Sequence, residues 1–134
     1  MTNEITYAEE LRHRLAQFVA GEEEAWAQVE KARAAHGHLA RELENSEHLM
    51  RASLVAHHAA IALRGLDLDE KEPEGQRLAA WAEGAEDRLV RGTYLQRSTS
   101  LFARARGEIE HEAVAEVLSE VRGFLRLAAK GGGR

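Results

Sequence analysis

The sequence predicts an all-α protein, an antiparallel helical bundle of five to six helices built around a long central helical segment. Three observations predict it. Apolar side chains recur every three to four residues along most of the chain, and no stretch alternates as a strand would. The 134 residues contain a single proline, Pro73. Helix-capping residues and glycines punctuate the periodic stretches and leave only short links.

The central segment spans Glu22 to Gly65. Ala25, Val29, Ala32, His36, Leu39 and Leu43 fall on one face at helical spacing, and Met50, Leu54, His57 and Ile61 do the same further on. Glu22, Glu23 and Glu24 occupy a first turn, where carboxylates suit the helix dipole. One helix over this span would be roughly 65 Å long. A bend or break is therefore expected near Gly37 or at Asn45-Ser46, since glycine weakens a helix interior and Asn and Ser cap well.

Before it, Thr6-Tyr7-Ala8-Glu9 has the form of a capping box. Leu11, Leu15, Phe18 and Val19 then mark a short helix stopping at Gly21. After it, Leu66–Gly75 reads as an acidic, solvated loop in which Pro73 opens the next helix. Leu78, Trp81, Ala85 and Leu89 mark that helix, which ends by Gly92. Thr93-Tyr94-Leu95-Gln96 is a second capping-box match, opening a helix expected to stop at Gly107. Val114, Val117, Leu118, Val121, Leu125 and Ala128 form the buried face of the last helix. The chain reads as one domain over residues 1–134, with residues 130–134 a frayed tail.

Composition narrows the function classes. A net charge of −5 argues against nonspecific nucleic-acid binding by the whole surface. The absence of cysteine excludes disulfides, zinc–thiolate sites and thiol catalysis. No signal-peptide pattern is visible, and Leu54–Leu63 is too short to span a bilayer. A soluble, cytoplasmic protein without membrane contact is expected, and no cofactor is implied. Large apolar side chains are few, so part of the central face is left for a second copy. A homodimer is the expected assembly, with another protein partner as its variant.

Three constellations could carry chemistry. His36 and His57 lie on apolar stripes, and with His111 they would supply a metal or small-ligand site if the bundle brought them together. The alternative is a core histidine with one satisfied hydrogen bond. Arg88, Arg91, Arg97, Arg104 and Arg106 lie in a stretch without any acidic residue, interleaved with Tyr94 and Phe102. Such a segment can receive an RNA backbone, a phosphate ligand or an acidic partner. Otherwise these arginines pair with the glutamate-rich first 30 residues or with a second subunit. Finally, Glu108-Ile109-Glu110-His111 is a single Glu-x-x-His match, where a ferritin-like di-iron site needs two.

Arg106-Gly107-Glu108-Ile109-Glu110-His111, ahead of a final amphipathic helix, resembles the Arg/His motif of HEPN-domain proteins. Those are small α-bundles, many of them dimeric ribonucleases. Arg51-Ala52-Ser53-Leu54-Val55-Ala56-His57 is similar to the alanine-rich middle helix of that family. The chain departs from the family pattern at Gly107, where a polar residue is usual, and lacks the aromatic residue after the histidine. The resemblance implies His111 as general acid–base and Arg106 as the group that stabilises phosphate charge. Without a stronger catalytic signature, a non-enzymatic interaction or scaffold protein is the first expectation. RNA binding or cleavage comes second and a metal or ligand bundle third.

Overall fold

The computed structural model describes residues 6–35, 41, 46–95 and 101–130. Among them there are four α-helices and no strand: α1 (Tyr7–Ala35), α2 (Glu47–Lys71), α3 (Arg77–Arg91) and α4 (Leu101–Lys130). A 3-10 turn, Pro73–Gly75, joins α2 to α3. The all-α expectation holds, but the expected five to six helices do not, because three glycines read as stops lie inside helices. Gly21 is within α1, Gly65 within α2 and Gly107 within α4. Among the described glycines only Gly92 has the positive φ of a true C-terminal stop, +65° at the end of α3.

The ends that do exist have identifiable chemistry. The Glu9 amide donates to Thr6 Oγ1 at 3.1 Å, as the capping box requires. Ser46 caps α2 in an extended conformation, and its Oγ accepts from the Leu49 amide at 3.2 Å. The central segment is therefore broken at Ser46, while Gly37 lies outside the described residues. Pro73 opens the 3-10 turn rather than an α-helix. Part of the expected acidic loop is helical, since α2 continues to Lys71 and buries Leu66. The Thr93 capping-box match opens no helix: residues 93–95 form a turn, and Gln96 lies outside the described residues.

Helix directions follow from the pairs that touch. Arg12 near the start of α1 binds Asp67 and Glu70 near the end of α2. Arg14 binds Glu120, on the C-terminal half of α4. Glu86 of α3 meets Arg122 of α4, while Tyr94, just past α3, meets Gly107 near the start of α4. Consecutive helices thus run antiparallel. The helices α2 and α4 pack against each other and against both outer helices, whereas α1 and α3 do not touch among the described residues.

The main core lies along α2 and α4, with Leu15, Leu78, Val114, Val117 and Val121 fully enclosed. A second, smaller cluster of Ala25, Val29, Ala32 and Leu49 joins the far halves of α1 and α2. Where α1 and α3 stay apart near their N-terminal ends, an apolar groove of about 750 Å³ lies between them. Leu66, Leu78, Phe124 and Leu125 line it. No helix of the described residues is long and apolar enough to cross a membrane.

Candidate functional site

The groups with most chemical character meet where α2, the α3–α4 connection and the first half of α4 come together. His58 is the only polar residue in the buried class among the described residues, at 6% exposure. Its Nε2 lies 3.0 Å from Glu110 Oε2, across the α2–α4 interface. Glu110 accepts, so the proton sits on Nε2 and the neutral ring is oriented by a carboxylate. Burial holds His58 below its usual pKa; Glu110 opposes that shift, while His57 and Arg88 add to it. The ring also packs edge-on against Tyr94 at 6.2 Å and against His57 at 5.0 Å. Burial raises the Tyr94 pKa, with Arg88 opposing.

Tyr94 reaches this place because of Gly107. A Cβ at position 107 would run into the Tyr94 carbonyl oxygen, so only glycine lets the connection lie directly on α4. Three sequence-distant features therefore act together: a glycine admits the chain, the chain presents Tyr94, and Tyr94 closes over the His58–Glu110 pair.

The residues singled out by sequence are distributed differently. His57 is exposed, and its neighbour His58 takes the core position. His36 lies outside the described residues. His111 is half-buried, and its Nδ1 is enclosed without a hydrogen-bond partner among the described residues. No three His, Asp or Glu side chains among the described residues are placed to share a metal ion. Arg106 and His111 both lie on continuous α4, where five positions put side chains about 140° apart around the axis. Arg106 is exposed while His111 is half-buried, so one chain does not turn the two toward a common ligand. Arg51 is engaged by Glu112 across α2 and α4.

Of the basic segment, Arg91 pairs with Asp87 one turn back on α3, and Arg97 lies outside the described residues. Arg88, Arg104 and Arg106 are exposed and make no side-chain ion pair or hydrogen bond among the described residues. Pairing of the α3 arginines with α1 within one chain does not occur, since these helices do not touch.

Sequence reasoning passed over His58, Glu110 as its partner, and Tyr94 as their cover. The spacing of 52 residues between His58 and Glu110 leaves no local pattern to find. Chemically, the arrangement is a closed polar contact that fixes three elements, with its imidazole held away from solvent. No protein-family model matches the chain, and neither the curated proteins nor the solved structures contain a significant match.

Proposed function

We propose that this chain is a non-enzymatic helical-bundle interaction protein that self-associates through the end formed by the close of α3 and the opening of α4. The observation that carries this reading is the exposure of the first two turns of α4. From Leu101 to Glu108 every described side chain is exposed, except for the half-buried Gly107 position, and Leu101 itself is 75% exposed. Helical turns without packing are marginal in water, so these gain from a partner that covers them. Val90, 81% exposed near the end of α3, adds apolar surface at the same end. The His58–Glu110 pair supports the reading from the other direction: it anchors the base of this end, and its imidazole is buried in the α2–α4 interface.

Light scattering on the eluate of a size-exclusion column tests the assembly. Wild-type protein elutes as dimer or larger at high micromolar concentration, and Leu101→Glu shifts it toward monomer. A wild-type monomer throughout that range rejects self-association.

Arg88, Arg104 and Arg106, exposed and without an ion pair among the described residues, favour a second reading, in which the same end binds an RNA backbone. Such binding weakens steeply with salt because counterions are released. Titrating labelled single-stranded RNA with wild type and with Arg104→Glu separates the readings. Saturable binding lost in the variant assigns the arginines to RNA, and no binding by wild type removes that role.

A further inference from the structure

Arg104 and Leu101 are one turn apart on the exposed opening of α4, and neither finds a partner among the described residues. On α1, Glu22, Glu23 and Trp26 lie within one turn. Glu23 is exposed, Glu22 is half-buried, and Trp26 is 42% exposed. Neither glutamate makes an ion pair among the described residues. These patches are complementary in kind, one offering a cation and an aliphatic side chain, the other carboxylates and an aromatic face. An arginine satisfies both halves of the second patch, by charge with glutamate and by stacking on indole.

The fold keeps the patches apart within a chain. Arg104 and Arg106 form no ion pair among the described residues, and the side of α1 turned toward α4, with Gly21 and Glu24 near Glu116, lies opposite the side that carries Glu23 and Trp26. We infer that the α4 opening around Leu101 and Arg104 docks onto the Glu22–Glu23–Trp26 face of a second copy, giving head-to-tail association. Head-to-tail pairing makes this contact once per pair, so each copy keeps one free patch and the contact propagates into a ring or a chain. A reciprocal pairing would use both patches and stop at a two-fold dimer, so growth of the wild type beyond dimer is the mark of the head-to-tail contact. The inference rests on the self-association proposed above and specifies its geometry.

Complementation between two altered proteins tests it. One carries Leu101→Ser with Arg104→Glu, the other Glu23→Lys with Trp26→Ala. All four positions are exposed, and circular dichroism with thermal melting verifies that both proteins fold as wild type does. Sedimentation velocity then follows wild type, each variant alone, and an equimolar mixture, at low and high salt. Wild type is expected to grow beyond dimer with concentration and to shrink with salt. Each variant alone should associate about tenfold more weakly or less, the loss of exposed charge pairs together with apolar contact. The mixture should form a one-to-one heterodimer that stops there, since only one intact pair of patches remains. Wild-type association that both variants retain, or a mixture without heterodimer, overturns the head-to-tail contact while leaving self-association standing. A monomeric wild type overturns both.

Discussion

His58 occupies a place where a charge is costly, and the folded protein answers by keeping it neutral. Its native pKa lies below the unfolded value of 6.5, so the unfolded chain binds the proton first. Unfolding then takes up protons as the pH falls, and stability falls with it. The contribution of His58 is complete above about pH 6.5 and is lost as the pH drops from there through the lower native pKa. Denaturant midpoints measured between pH 7.5 and pH 5 should decline for wild type and decline less for His58→Gln. Parallel curves for the two proteins would remove this role. A second residue-scale consequence concerns Gly107. Gly107→Ala forces the new methyl group against the Tyr94 carbonyl, an overpacking that costs about 1–3 kcal/mol. Urea denaturation should show that loss, whereas alanine at an unobstructed helical position stabilises by up to about 1 kcal/mol. The sequence made His57, not His58, the core histidine because its stripe was drawn through the large side chains of Met50, Leu54 and Ile61. The buried face actually follows Val55, His58, Ala59, Ala62 and Leu66, about a third of a turn away. Alanine cores carry little contrast between inside and outside, so the register of such a helix is hard to see from composition.

At the scale of elements, the link between α2 and α3 shows how an acidic stretch becomes structural. Asp69 belongs to α2, yet its carboxylate accepts from the amides of Arg77 and Leu78 at 2.7 and 3.0 Å. It caps α3 from across the turn, where Gln76 supplies no side-chain cap of its own. Asp69→Ala leaves those amides unsatisfied and should cost about 1 kcal/mol, within the range of lost N-caps. Asp69→Asn retains an acceptor and should lose less; equal losses in chemical denaturation would argue against capping. Neither partner is local in the usual N-cap sense, so no signature marks it in sequence. The glycines mislead for a related reason. Glycine in a helix interior costs only about 1 kcal/mol relative to alanine, and a shared buried face outweighs that. Leu11 and Leu15 before Gly21 fall on the same side of α1 as Ala25 and Val29 after it, so packing carries the helix through. By contrast Thr6, Ser46 and Gly92 act within a turn of themselves, and their boundary roles were legible.

For the whole molecule, the class of fold was readable because helical periodicity is written into every segment. The count of helices was not, because it depends on which weak points tertiary packing overrides. The pairing of helices was also out of reach, since it rests on contacts such as Arg14 with Glu120 that join distant parts of the chain. That pairing leaves α1 and α3 apart, with the exposed Glu23 on one and the exposed Arg88 on the other.

Two helical axes point each way through the bundle. Each axis carries partial charges at its ends, and opposed axes largely cancel at a distance. The electric field felt by an approaching molecule is then written almost wholly in side chains, which ions in the surrounding solution shield. The strength of that field therefore follows the ionic strength of the surroundings while the backbone stays untouched.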